Sequence, residues 1–343
     1  MRHLRSLTRR GFAAFGLIAI AAASTAAYAQ TELVIYSAYP NDQLKPLIQA
    51  FEKANPQIKI KAFEQPGEEV IATLELEMRA KNPKADVVGL NEASMSYLQK
   101  RHSAFEAYAP KDIDKVKADF RNKENAFTPV FVTLYTIHFN TKKISAAEAP
   151  KSWADLLNPK WKGQIALADP AHSQSIQSFM WFIADYMGKK NPNTYGWDYF
   201  KKIAQNEPRL EASHATIRDL TISGERPLGV QVLVHAQNSA RRGEPTSNIW
   251  PIEGTPGELN AFGVVKGAKN AEAGKKWLDF LVSLEAQTVV SDALGGAPVR
   301  TDVPYKYPDG TPLDKVTIIP VDSTFVAENR KSQTKKFHEA VGK

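Results

Sequence analysis

Hydrophobic positions along this chain follow two rhythms in turn. Leu33-Val34-Ile35-Tyr36 and Ile58-Lys59-Ile60-Lys61 read as strands. Between them Leu44, Leu47, Ile48 and Phe51 recur at helical spacing and predict a helix over 42–54. Val70, Ile71, Leu74 and Met78 share one face of a second helix over 68–81, which Pro83 stops. Ala85-Asp86-Val87-Val88 predicts a buried strand running into Gly89-Leu90-Asn91-Glu92, with a helix at 93–101 behind it. Strand and helix in alternation argue for an α/β architecture.

The rhythm breaks at Phe127–Asn140, a β-prone run rich in branched and aromatic residues, of the kind that crosses between lobes. Ser152-Trp153-Ala154-Asp155 reads as a capping box opening a short helix, and Gln164–Ala168 as a strand. Asp169–Ser175 then links that strand to a helix carrying Ile176, Phe179, Met180, Ile183 and Met187. Strand, polar loop and helix start is a geometry that collects anions, because unpaired backbone N–H groups point out of the helix. Leu228–Val234 predicts a strand ending at His235. The chain is expected to return to the first lobe near Trp250-Pro251, then to form the strand 261–265 and a helix at 271–282.

Composition enters through the first residues. Thr8-Arg9-Arg10-Gly11-Phe12, an apolar run from Ala13 to Ala23, and Ala27-Tyr28-Ala29 follow the order of a secretory signal. The run is too short to span a bilayer, which takes about twenty residues. The arginine pair suits a twin-arginine route as well as a general one. Cleavage after Ala29 would leave 314 of the 343 residues, a length suited to two lobes, and would place the protein in the periplasm. The leader holds Arg2, Arg5, Arg9 and Arg10 and no acid, so its loss takes the formal charge from +7 to +3. The basic balance is mostly the leader's, and no nucleic-acid partner follows from it. The chain has no cysteine, which excludes thiol nucleophiles, iron–sulfur clusters and cysteine zinc sites. No Gly-x-Ser-x-Gly elbow, His-Glu-x-x-His helix or P-loop is present, so an enzyme is not expected.

The stretches Leu33–Lys61, Ala85–Asn91, Tyr135–Lys143, Ser152–Ala171, Lys266–Asn270, Trp277–Gln287 and Gly296–Arg300 together resemble the periplasmic solute-binding proteins of ABC importers. They are most similar to the group of ferric-ion binding proteins and their relatives for phosphonates and phosphorylated solutes. That resemblance implies a two-lobed, type II-like periplasmic binding protein fold with two crossing segments and a cleft between the lobes. It would divide the chain into lobe I (30–134 with 250–343) and lobe II (135–249). A monomer and an inner-membrane ABC permease as partner are expected, with no cofactor.

Ferric relatives hold iron with adjacent tyrosines where this chain has His235-Ala236, and no Tyr-Tyr pair exists here. Phenolates suit a hard trivalent ion, so their loss turns the expectation toward a small organic anion: a phosphonate, phosphate ester or carboxylate. Expected ligand contacts are Ser37, Ala38, Tyr39, Asn91, Tyr135, Ser173, Gln174, Ser175, Ser213, Thr216, Gln231 and His235, hydroxyl and amide groups at loop ends with helix-start N–H donors between them. His214 and His235 would add proton-dependent hydrogen bonds. His172, His214 and His235 lie on separate loops without helical pairing, so no metal site is expected. Ser37, Tyr39, Ser173 and Tyr135 also have plain structural roles open to them, as turn, cap or packing residues. Ferric binding through a non-standard site and a sensory module reporting to a membrane kinase stay open as alternatives.

Overall fold

The computed structural model describes residues 30–342 apart from Gln174, Ser175, Gly295 and Pro308; the leader expected at 1–29 lies outside the described residues. Strand β1 (Thr31–Ser37) leads into helix α1 (Asn41–Ala54), β2 (Ile58–Glu64), α2 (Gly67–Arg79), β3 (Val87–Asn91) and α3 (Glu92–His102). β1 lies between β2 and β3, parallel to both, as right-handed strand–helix–strand units require. α1 turns Leu44, Leu47 and Phe51 onto one face of this sheet, and α2 turns Val70 and Leu74 onto the other. This is lobe I.

Strand β4 (Thr128–Asn140) is the crossing expected from the sequence. Its first half pairs with β9 and its second half with β7 and β8. Beyond it come β5 (Ile165–Ala168), α4 (Ile176–Trp181), a π-helical segment (Phe182–Met187), the short α5 (Gly188–Lys190), α6 (Trp197–Ala204), β6 (Arg209–Glu211) and α7 (His214–Ser223). Then follow β7 (Leu228–Val232), α8 (Leu233–Arg241) and β8 (Thr246–Ile249). The sheet order β4-β7-β5-β6 forms lobe II, whose core gathers Trp153, Phe179, Tyr199 and Phe200.

The Ser152–Asp155 box is present and reciprocal. The Asp155 N–H donates to Ser152 Oγ (2.9 Å), and the Ser152 N–H donates to Asp155 (3.1 Å). It opens a 3-10 turn, Ala154–Leu157. The strand expected to run to Val234 stops at Val232. Gln231 Oε1 accepts the Val232 N–H (3.1 Å), and Leu233-Val234 become the first turn of α8.

The chain returns through residues 250–254 into β9 (Thr255–Val264), then α9 (Ala271–Leu281), α10 (Leu284–Leu294), β10 (Ala297–Pro298), β11 (Ile318–Pro320) and α11 (Ser323–Val341). β9 starts earlier than the 261–265 strand read from the sequence, because its first half pairs with β4 in register Leu134↔Gly257 to Val132↔Leu259. Trp153 Nε1 of lobe II donates to the Gly254 carbonyl (2.9 Å) and anchors this return. α11 departs from its expected place in lobe I. Phe337 and Val321 join the apolar core of lobe II, and Gln177 and Asp185 there bond Thr334 and Gln333. Its first turn still reaches lobe I, where Ser323 Oγ donates to Glu92 (3.0 Å).

Where the two crossings lie side by side, Thr255 joins them. Its hydroxyl donates to the Tyr135 carbonyl (2.7 Å) and accepts the Tyr135 N–H (3.1 Å), and all of it is buried. Thr255→Val keeps the shape and orphans a buried amide and carbonyl, so it is expected to cost about 1–3 kcal/mol. A denaturation midpoint equal to wild type would show that the hydroxyl contributes nothing.

Candidate functional site

A cavity of about 750 Å³ opens between the lobes. Its lobe I wall is built by Ala38, Tyr39 and Pro40 after β1, by Gly67 and Glu68 starting α2, and by Asn91 and Ser94 starting α3. Lobe II supplies Gln177, Ser178, His214, Val232 and His235, and the first turns of α11 cover one side. The floor is the β4–β9 ladder. Thr133 stands opposite Glu258, and Asn260 Nδ2 donates to Thr133 Oγ1 (2.9 Å).

Helix starts dominate this lining. The N-terminal turns of α2, α3, α7, α8 and α11, and Pro40 ahead of α1, all face the cavity. The first turn of a helix holds N–H groups without intrahelical partners and carries a partial positive charge. Asn91, Ser213 and Asp322 each cap one such N–H with a side chain, whereas Pro40, Pro66 and Val232 cap none. Among the described residues, then, no cap side chain covers the first turns of α2 and α8.

Of the expected contacts, Ala38, Tyr39, Asn91 and His235 line the cavity. Ser37 lies beneath the wall with no exposure, its Oγ accepting the Tyr39 N–H (2.9 Å) and fixing the loop. Ser213 and Thr216 are spent on each other at the start of α7. Tyr135 is fully buried because Phe179 and His214 cover its ring, at 5.9 and 6.2 Å between centroids. Gln231 is also fully buried, its Nε2 donating to the His214 carbonyl (2.8 Å), which holds α7 against the strand end. Ser173 is buried outside the lining, its N–H donating to the Asp169 carbonyl (2.8 Å). Gln174 and Ser175 lie outside the described residues.

Glu258, Gln177, Ser178, Thr133 and Asn260 were not foreseen. Glu258 accepts a hydrogen bond from Ser178 Oγ (3.1 Å) and another from the Asn91 side chain. Burial raises its pKa to about 7, with the Glu92 carboxylate adding to the rise and the two hydrogen bonds opposing it. The His214 and His235 rings stack 6.1 Å apart. Burial lowers His214 to about 3 and His235 to about 4, with the neighbouring imidazole acting further on the first and Arg218 on the second. Both are neutral at pH 7, each offering one N–H and no charge. Burial pushes the Tyr39 phenol well above its ordinary value of 10. Arg330 is the lone lysine or arginine among the described lining residues, and it pairs with Glu68 at the rim (3.2 Å). Among the described residues no group of His, Asp and Glu is placed to hold a metal ion, and no helix is long and apolar enough to cross a membrane.

The Glu258 value sets a pH dependence of stability. Between its ordinary 4.5 and the folded value of about 7, the folded protein keeps a proton that the unfolded chain has lost. Stability from this group is therefore present at low pH and is lost as pH rises through 7, on the order of 3 kcal/mol in total. The lowered values of His138, His214 and His235 act in the opposite sense below pH 6.5. The Glu258→Gln minus wild-type difference isolates the carboxylate. The variant is expected to gain in melting temperature relative to wild type from pH 5 to pH 8; a constant difference would refute the assignment.

Known proteins are similar to this chain in sequence and fold. A putative 2-aminoethylphosphonate-binding periplasmic protein of Salmonella typhimurium is 28% identical over 298 residues, 84% of each chain. The periplasmic binding protein AfuA of Actinobacillus pleuropneumoniae, solved with fructose-6-phosphate, superposes with a TM-score of 0.71 at 26% identity, over 91% of this chain and 99% of that one. A ferric binding protein from Campylobacter jejuni has a TM-score of 0.73 at 20% identity, over 90% and 99% of the two chains, which speaks for the fold alone. The relatives are binding proteins rather than enzymes. The sequence profile of the bacterial extracellular solute-binding proteins matches residues 82–318, and the chain belongs to that family.

Proposed function

We propose that this protein captures a small organic phosphonate or phosphate ester in the periplasm and presents it to the permease of an ABC importer. The observation that carries the reading is the convergence of helix N-termini on one interlobe cavity. Each such end favours an anion by about 0.3–1 kcal/mol where exposed and more where partly buried. Open N–H groups bind phosphoryl oxygens without any buried lysine or arginine. The related protein named for 2-aminoethylphosphonate and the neighbour solved with fructose-6-phosphate both fit a phosphoryl-type ligand. The leader at 1–29 accounts for export.

Ferric ion suits this lining poorly. The phenols lining the cavity are Tyr39 and Tyr97, and both are held in the protonated form, Tyr39 by burial and Tyr97 by its hydrogen bond to Glu75. A trivalent ion wants anionic oxygen, and His235 supplies a neutral nitrogen. Lobe closure on the solute would signal occupancy to the permease.

Isothermal titration of the mature protein against alkylphosphonates, sugar phosphates and ferric citrate tests this. Saturable one-site binding of a phosphonate or phosphate ester is expected, with a decreased radius of gyration in small-angle scattering as the lobes close. Binding of ferric ion with none of the organic anions would overturn the reading.

A further inference from the structure

An anion held by these helix starts shares its cavity with an acid. Glu258 stands on the floor, and the elements around it supply no countercharge among the described residues. α3 brings Glu92, of the same sign, whose own ionisation is opposed by burial and by Asp322 at the start of α11. The loop after β1 brings the Tyr39 phenol, and the Glu258 charge helps to keep that phenol protonated. The start of α4 and the end of β3 give neutral donors: Ser178 Oγ at 3.1 Å, and the amide of Asn91, whose oxygen is spent on the Ser94 N–H (3.0 Å). Thr133 of β4, directly opposite, carries no charge. On the lobe II wall His214 and His235 are neutral, and Arg330 of α11 is held at the rim by Glu68.

Two like charges in one cavity oppose each other, and a carboxylate beside an anion is relieved by gaining a proton. A phosphate ester has lost its last proton above pH about 6, so near neutrality the proton has to come from the solvent. Ser178 tolerates the change, because a hydroxyl that donates to a carboxylate also accepts from a carboxyl. Glu258 is prepared for it as well: burial holds its pKa at about 7, and a nearby anion pushes it higher. Protonated, the side chain loses its repulsion and offers the cavity one more O–H donor.

We propose that Glu258 takes up a proton as the anion enters, so that solute and proton are captured together. This inference rests on the anion reading and adds a proton coupling to it. It stands on the position of an acid without a countercharge inside an anion-collecting cavity. The sign of the pH dependence follows. Above about pH 7 the empty site has lost its proton, each capture has to recover one, and affinity falls as pH rises. Below that value Glu258 is already protonated, and affinity stays level until the solute itself gains a proton.

Titration calorimetry of the full mature protein with fructose-6-phosphate and with ethylphosphonate, at pH 8 in buffers of different ionisation enthalpy, counts the protons. Wild type is expected to take up about one proton per anion bound and Glu258→Gln none, its amide standing in for the protonated carboxyl. The wild-type minus variant difference removes any proton that the solute itself exchanges. Wild-type affinity for fructose-6-phosphate is expected to fall about fivefold from pH 7 to pH 8, and that of the variant by less than about twofold. Binding to wild type without proton uptake, or equal uptake by Glu258→Gln, would overturn the coupling and leave the anion reading standing. If the variant does not bind, infrared difference spectroscopy of wild type decides: a protonated-carboxyl band that appears on capture supports the proposal, and its absence overturns it. If no phosphoryl compound binds, the coupling and the anion reading fall together.

Discussion

The antiparallel pairing of β4 with β9 is the constraint on which the rest of this molecule depends. Residues Thr128–Leu134 run against Gly257–Phe262, and the same β4 continues as the edge from which lobe II is built. Both lobes therefore hang on one continuous strand. The register across it decides which side chains form the cavity floor, because a slip by one residue would turn Glu258 and Asn260 away and bring Leu259 and Ala261 in. The Thr255 hydroxyl bonds both backbone groups of Tyr135 at the point where the ladder passes from one partner strand to the next.

Two opposed electrostatic demands meet in the cavity. Helix starts concentrate partial positive charge there, and burial works against any full charge, as the neutral His214 and His235 illustrate. Glu258 feels the same burial, a carboxylate held between lobes by Ser178 and Asn91 with its acidity much weakened. Such a group is poorly suited to holding the empty protein together.

Much of the architecture is written in local pattern. The first strands and helices, the crossing at β4, the capping box at Ser152 and the return near Trp250 all depend on short-range periodicity, which a sequence displays directly. The wall at Ala38-Tyr39, Asn91 and His235 was legible because those residues follow buried strands, where α/β folds place ligands. Glu258 was not, because it sits inside a strand whose start is masked by Pro256 and Gly257. An alternation does mark it: Glu258 and Asn260 are polar at i and i+2, with Leu259 and Ala261 between them. Gln231 and Tyr135 fail in the other direction. Their residue types suggest contact, but the His214 carbonyl and the Val232 N–H occupy the Gln231 amide, and the rings of Phe179 and His214 cover Tyr135. The placement of α11 depends on Phe337 meeting lobe II, a contact between distant segments that no local pattern carries.

The discontinuity of lobe I also dictates an order of events when the chain first folds. β3 pairs with β9 in register Val87↔Val264 to Asn91↔Asn260, so the strand that completes its edge is synthesised long after it. Until then the edge of β3 presents unpaired N–H and C=O groups beside apolar Val87, Val88 and Leu90. The strands of lobe II, by contrast, come from one nearer stretch, although its core is completed only when Val321 and Phe337 of the last segment arrive. A nascent chain ending between β8 and residue 264 thus carries an open, sticky sheet edge beside a lobe II that still lacks Val321 and Phe337. In such a protein the vulnerable interval is the wait for late segments, and shielding the edge of β3 until β9 arrives is what a chaperone of this chain would have to do.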